Sequence, residues 1–224
     1  MKVMAIDASS VCSGIVVAEI DNKGEVSKIG SASIIPKKFS PTLLGYKASK
    51  ANINGYKSYV KKGENFVSKT EAKRRNAEVR HARNDFKAKT ISNQLNTLIS
   101  KISPDIVVIE KNRTFNSVLT TALLAEVMGC IEGVCGANNI DLIKVTVEAI
   151  RKELNAPKLV KEFCEIKTVE ELSSYEDITK EAIKDYLEYI YNFRMANTDE
   201  GDACAVFHYY YKNLYRLGEA KWQR

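Results

Sequence analysis

The sequence predicts a mixed α/β domain: a five-stranded sheet with its first three strands antiparallel, flanked by helices. Three observations carry this expectation. The chain opens on apolar runs separated by turns of a few residues, two further apolar runs too short for helices follow near residues 105–110 and 140–145, and the intervals around them carry helical periodicity. At 224 residues, with 45% hydrophobic and 28% charged residues, the chain is near the usual size of one domain and can bury a core. A single domain spanning residues 1–224, with insertions, is expected.

The elements follow in order. Residues 3–7 (VMAID) and 14–20 (GIVVAEI) are short apolar strands separated by the small-residue turn ASSVCS, and the DNKG turn at 21–24 leads to a weaker third strand near 26–35. Short turns between the three make an antiparallel meander. Pro36, Pro41, Gly45, Gly55 and Gly63 make residues 36 to about 70 loop-like, part of a basic insertion at about 36–75. A helix begins near Glu71, with Val79, Ala82 and Phe86 as its buried stripe and Arg80, Arg83 and Lys87 on a different face. Ile91, Leu95, Leu98, Ile99 and Ile102 mark an amphipathic helix, with Pro104 just past its end.

DIVVIE at 105–110 is a β-branched run suited to a central strand covered on both faces, and it ends in a carboxylate. Asn116 or Ser117 can cap a helix running to about Ala137, whose Gly129, Gly133 and Gly136 suggest close packing against a neighbour. IDLIKV at 140–145 is the next strand, followed by a helix from about Val147 that ends before Pro157. Residues 158–190 read as helical and strongly charged, with a break at 173–175, and give a second, charged helical insertion at about 158–180. The last helix sets Ala203, Val206, Phe207, Tyr210 and Leu214 on one stripe.

Composition narrows the function classes. Residues 37–90 hold 15 Lys or Arg against 4 Asp or Glu, a balance of +11 within a chain whose net charge is +6, so the remainder is mildly acidic. Such a concentrated basic segment suits a polyanionic partner, because phosphate contacts supply most non-specific nucleic-acid affinity; a merely solvated loop is the alternative. The longest apolar stretch, 118–134, is interrupted by Thr, Glu and Gly and is shorter than the roughly 20 residues of a membrane span, and the N-terminus lacks a signal-peptide pattern. A cytoplasmic protein without a membrane helix is expected. The five cysteines form no CxxC pair and read as reduced thiols, and His81 and His208, the only histidines, are not spaced for zinc.

Four carboxylates stand out. Asp7 and Glu110 each lie at the end of a strongly apolar run, where a buried charge needs a metal, a cation or solvent. If those strands are parallel neighbours, both side chains emerge at one edge of the sheet, where α/β sheets tend to hold their sites. Asp199 and Asp202, three residues apart at the start of the final helix, project from one face, although Asp199 could serve as an N-cap instead. An all-carboxylate set without histidine or cysteine favours Mg²⁺, with Mn²⁺ able to substitute. Two such ions can activate a water and stabilise the leaving 3′ oxygen of a phosphodiester.

These residues carry a resemblance. IDASSVCSGIVVAE, with Asp7 seven residues before Gly14 and Ser13 between them, then SNQLNTLISKISPDIVVIEKN with FNSVLTTALLAEVMGCIEG, and finally DEGDACAVFHYY, resemble in order the motifs of the RuvC-type Holliday-junction resolvases. The resemblance covers about half the chain, and the chain is similar to insertion-bearing, phage-type members. It implies a ribonuclease-H-like fold and a Mg²⁺-dependent endonuclease with two ions per active site held by Asp7, Glu110, Asp199 and Asp202. It also implies a homodimer joined by the helix after Glu110, four-way junctions as substrate, and Phe115 as an aromatic that contacts bases at the junction; Phe115 could instead staple the start of its helix. Arg80, Arg83 and Lys87, with Lys144 and Arg151 near the expected active edge, are further candidate DNA contacts.

Rival readings are a ribonuclease H acting on RNA·DNA hybrids and a non-catalytic branched-DNA-binding protein. A ribonuclease H would place a glutamate on the first helix, a role open to Glu71 or Glu78, but would carry aspartate where Glu110 stands. A sugar kinase or ATPase would need Gly-rich phosphate loops, and none is present.

Overall fold

A computed structural model describes residues 1–9, 11–53, 56–64, 68–111, 118–166 and 175–216. The first three strands, β1 (Lys2–Asp7), β2 (Ser13–Ile20) and β3 (Val26–Ile34), form the expected meander, with Asp7 opposite Gly14 and Ser13 opposite Ile34. Residues 36–70 are not loop-like throughout. A 3₁₀ turn (Pro41–Leu44) leads into a separate two-stranded hairpin of β4 (Tyr46–Ile53) and β5 (Tyr56–Lys61). Lys47, Lys50, Lys57 and Lys61 break up any apolar alternation in these strands, but Tyr46 and Tyr59 turn inward and are buried against Val79.

The helix that follows, α1 (Lys69–Ile102), is one unbroken element where the sequence reads as two stretches. Its first half buries Ala72, Arg75 and Val79 toward the hairpin, and its second half buries Ala88, Ile91, Leu95 and Ile99 on the main sheet. At 3.6 residues per turn these two sets face nearly opposite directions, so no single stripe runs the length of the helix.

β6 (Ile106–Glu110) then enters parallel to β1, and after α2 (Val118–Ala137) β7 (Asp141–Val145) pairs parallel with β6. The sheet order is β3-β2-β1-β6-β7, a mixed five-stranded sheet as the sequence predicts. Strand alternation divides the core into two layers. Met4, Ile6, Ile15, Val107 and Ile109 face α1 and α2, while Val3, Ala5, Val16 and Val108 face the C-terminal helices.

Those helices are α3 (Val147–Leu154), α4 (Ala156–Ile166), α5 (Tyr175–Tyr191) and α6 (Thr198–Tyr209), the last continuing into a wider π-type turn at Tyr210–Tyr215. Leu159, Val160, Ala182, Ile183 and Leu187 of α4 and α5 are buried in the same layer as Ala203, Val206 and Phe207. Leu214 departs from the expected stripe and is exposed, because the π-type turn rotates it outward. The break expected at 173–175, apart from Tyr175 at the head of α5, and the helix caps expected at Asn116 or Ser117 lie outside the described residues.

By length and composition α2 could cross a bilayer, yet its Leu123, Val127, Ile131 and Cys135 are spent on the sheet. Gly129, Gly133 and Gly136 do not pack closely among the described residues: a Cβ at any of them would meet nothing there within 4 Å.

Candidate active site

The parallel register of Ile6 against Ile109 sets Asp7 and Glu110 side by side at the C-terminal edge of the sheet. Asp7 shares the parity of Val3 and Ala5, and Glu110 that of Val108, so both carboxylates belong to the face covered by α6. That helix delivers the other two.

Its start is fixed by side chains that the sequence did not single out. Asn197 caps it, accepting from the Glu200 N–H at 3.0 Å and donating to Ser33 Oγ at 2.9 Å, so Asp199 is not the cap but a first-turn residue free to face the edge. Glu200 is buried and accepts from Ser31 Oγ at 2.6 Å, Ser33 Oγ at 2.8 Å and the Ala196 N–H at 2.9 Å. Burial works against its charge, but the Ser31 hydroxyl, the Ala196 N–H and the Ser33 hydroxyl outweigh it and hold the carboxyl below its usual range.

The helix also comes very close to β2. A Cβ on Gly14 would sit 1.8 Å from the Asp199 carbonyl oxygen, so only glycine lets the backbone of Asp199 reach a place beside Asp7. Ser13, the small hydroxyl before it, is fully buried and closes the turn by exchanging hydrogen bonds of 3.1 Å with the backbone of Ser9.

The result is a cluster in which carboxylate oxygens of Asp7, Asp199 and Asp202 all lie within 4.8 Å of one another. Burial, then the negative charges of Asp202 and Glu110, push the Asp7 carboxyl up to about 8, with Asp199 adding to the effect and Lys180 opposing it. Asp202 is raised as well, by burial first, although Lys180 Nζ donates to it at 2.7 Å and the Arg151 charge acts in the same relieving direction. Burial disfavours the Lys180 charge, but Asp202 and then Asp7 and Asp199 outweigh it and raise the ammonium above its ordinary value.

Burial and neighbouring carboxylates raise Asp7 far enough to mark an edge short of positive charge, and the donors are all hard oxygens. The Cys12 thiol beside Asp199 is pushed up by burial and by its hydrogen bond to Asp199. This donor set fits Mg²⁺ or Mn²⁺.

Of the remaining sequence candidates, Arg151 is exposed on α3 and acts on Asp202. Lys144 is not in the site. It lies level with Ile109, on the opposite face of the sheet from Asp7, and pairs with Glu132 of α2 at 2.5 Å. Arg80 and Arg83 are exposed and Lys87 half-buried on α1. Phe115 lies outside the described residues. Glu71 and Glu78, the helix carboxylates open to a ribonuclease H reading, are engaged around the hairpin, Glu71 by Arg74 and Arg75 and Glu78 by the Tyr46 hydroxyl. Lys180 was missed because it sits among many charged residues of α5, with no pattern to separate it from a solvated lysine.

The fold is shared with T. thermophilus RuvC in complex with Holliday junction substrate, at a TM-score of 0.51 and 11% identity, with 97% of each chain covered. A second Thermus thermophilus RuvC structure aligns at a TM-score of 0.47 and 12% identity over 97% of both chains. The yeast mitochondrial Holliday junction resolvase Ydc2 aligns at 0.47 and 12% identity over 97% of this chain and 82% of that one. No protein-family model matches the chain. No curated protein matches it either.

Proposed function

We propose that this chain is a Mg²⁺-dependent endonuclease that cuts branched DNA, four-way junctions first, and acts as a cytoplasmic homodimer. The observation that carries the reading is the convergence of Asp7, Asp199 and Asp202, brought from opposite ends of the chain to within 4.8 Å, at the sheet edge that also holds Glu110. Asp7, Glu110, Asp199 and Asp202 would hold two Mg²⁺ ions, with Mn²⁺ able to substitute; when bound, such ions supply an activated water and counter-charge for the leaving 3′ oxygen.

The chain's own residues do the rest. The Asn197 and Glu200 ties and the bare Gly14 surface fix where Asp199 and Asp202 stand, and rigid carboxylates hold ions better than mobile ones. Lys180 neutralises Asp202 and keeps the cluster assembled before loading. The Arg151 charge lies close enough to offer a phosphate contact at the edge. Cleavage is expected to leave 5′ phosphate and 3′ hydroxyl ends.

The dimer reading rests on α2. Its outward side carries Ala122, Ala125, Gly129, Gly133 and Gly136 at helical spacing, and these small residues would let a second copy approach closely.

The test compares wild type with Asp7→Asn on labelled four-way junction, Y-fork, linear duplex and RNA·DNA hybrid, in Mg²⁺, Mn²⁺ or EDTA. Paired symmetric nicks in the junction, absent in EDTA and in the variant, are expected. Cleavage of the hybrid alone would replace the assignment with a ribonuclease H, and tight junction binding without cutting under any metal would leave a DNA-binding protein.

A further inference from the structure

The long helix α1 places basic residues where the carboxylate reading alone has no use for them. Its C-terminus meets the far edge of the sheet, since Lys2 Nζ donates to the Ile102 carbonyl at 3.0 Å and the Lys2 N–H to Asp105 Oδ2 at 2.6 Å. α1 therefore runs antiparallel to β1 and β6, and its N-terminus points toward the edge that holds Asp7 and Glu110.

β1 covers roughly 17 Å from Lys2 to Asp7 at about 3.3 Å per residue. The same distance back along α1 from Ile102 reaches about Ile91 at 1.5 Å per residue. The preceding part of the helix, about 30 Å of it, extends past the end of the sheet at the carboxylate edge, from the face opposite the one that α6 covers.

The face it presents there follows from the helical repeat. Stepping back from Ile99, Leu95 and Ile91 by threes and fours lands on Lys87, Asn84, Arg80, Ala77 and Lys73, so the row that packs on the sheet becomes polar and basic once the sheet ends. Among the described residues Arg80 and Lys87 enter no ion pair.

The overhang is braced. Arg75 is buried, donates to both oxygens of Glu64, to Glu71 Oε1 at 2.6 Å and to the Tyr59 carbonyl at 3.1 Å, and lies 5.5 Å from the centre of the Tyr46 ring. The Tyr46 hydroxyl donates to Glu78 at 2.8 Å, and Phe39 packs on Phe86 at 5.7 Å between ring centres. These contacts occupy Glu64, Glu71 and Glu78, three of the four acidic residues in 37–90, so the segment's excess positive charge is left to face outward.

We propose that the β4–β5 hairpin and the first half of α1 form a rigid basic outrigger that grips the phosphate backbone of the DNA duplex flanking the cut, with Arg80 and Lys87 as its contacts nearest the carboxylates. Lys87 stands about 6 Å and Arg80 about 16 Å beyond the level of Ile91, so they lie about 10 Å apart along the helix and would reach separate phosphates rather than share one. The inference rests on the branched-DNA endonuclease reading, and the experiment separates the two.

Binding of wild type and Arg80→Ser/Lys87→Ser to a four-way junction and to one of its duplex arms is measured in EDTA across a salt series, with Lys101→Ser/Lys161→Ser as a charge-matched control on other surfaces. Two lost phosphate contacts should reduce the slope of log affinity against log salt by about 1.8, leave the control at the wild-type slope and be rescued by Arg80→Lys/Lys87→Arg. Hydroxyl-radical protection should retract toward the crossover in the Ser variant. A slope unchanged in that variant, or equally reduced in the control, overturns the outrigger. If wild type cuts the junction in Mg²⁺ while the slope is unchanged, only the outrigger fails. If the slope changes as expected but no DNA is cut in Mg²⁺ or Mn²⁺, only the nuclease reading fails.

Discussion

At the scale of single residues, Asp7 is the group whose environment most constrains the protein. Its carboxyl is raised from 3.8 to about 8, by burial before any neighbouring charge, so in the metal-free protein it binds a proton more tightly when folded than when unfolded. Its contribution to stability is therefore full below pH 4 and is lost as pH rises through 8, at up to about 1.4 kcal/mol per pH unit for one proton. Glu200, and Glu188 on α5, which accepts from the Met195 N–H and from Arg194, are both held below their usual range despite burial; they act the other way, and their contributions are lost only in acid. The difference between wild type and Asp7→Asn isolates the Asp7 effect: thermal melts in EDTA should show the variant gaining on wild type steadily from pH 4 to pH 8. Mg²⁺ should stabilise wild type more at pH 8 than at pH 5, because the ion must displace the proton, and should barely move Asp7→Asn. Parallel pH profiles for the two proteins in EDTA would show that Asp7 ionises freely without metal and would remove the electrostatic reason for a cation at this edge.

Among the elements, the contact between α6 and β2 decides whether the carboxylates meet at all. Gly14 leaves no room for a methyl group against the Asp199 carbonyl, so Gly14→Ala must lift the start of α6 or part β1 from β2. Overpacking of this kind costs about 1–3 kcal/mol, and here the displacement falls on Asp199 and Asp202, two of the carboxylates proposed to hold the metal. The variant should remain folded with a lowered Tm, lose most of its Mg²⁺-dependent cleavage, and need more Mg²⁺ for what remains; wild-type activity at wild-type Mg²⁺ demand would mean that the close approach is not needed. Gly14 was legible in the sequence as part of a motif, but its reason was not, because the partner backbone lies 185 residues away. Asp7 and Glu110 were legible because each interrupts an apolar strand. The sheet was legible for the same reason, since short β-branched runs bounded by turns leave few alternatives. The hairpin was not, because lysines stand on both strands and, among its described residues, only Tyr46 and Tyr59 reach its small core. The continuity of α1 was hidden by its change of buried face between Val79 and Ala88, which breaks the periodicity that marks a single helix. Asn197, Glu200, Ser31 and Lys180 escaped notice because their partners lie on other elements, and polar residues in polar surroundings leave no pattern.

For the molecule as a whole, the issue is how the one proposed site described in each chain could carry out the proposed junction resolution, in which two strands would be cut. One copy presents one carboxylate edge, so paired incision calls for two copies held in a fixed relation. α2 is the element suited to join them. One side of it is buried on the sheet through Leu123, Val127 and Ile131, and the exposed side carries Ala122, Ala125, Gly129, Gly133 and Gly136 with Glu126 and Glu132 among them; within the described residues an added Cβ touches nothing at any of the three glycines. Substitution on that outward side should leave the single chain intact, which makes the test clean. Wild type should sediment as a dimer, and Gly129→Arg/Gly133→Arg as a folded monomer with an unchanged far-UV spectrum. On a supercoiled plasmid carrying an extruded cruciform, the dimer should give linear product from paired cuts. The monomer should give nicked circles, because a single cut relaxes the supercoiling that holds the cruciform out and removes the substrate before a second copy arrives. Linear product from a proven monomer would show that a second incision needs no partner. A double variant that still sediments as a dimer would move the interface off α2, and wild type that stays monomeric with and without junction DNA would end the two-site account.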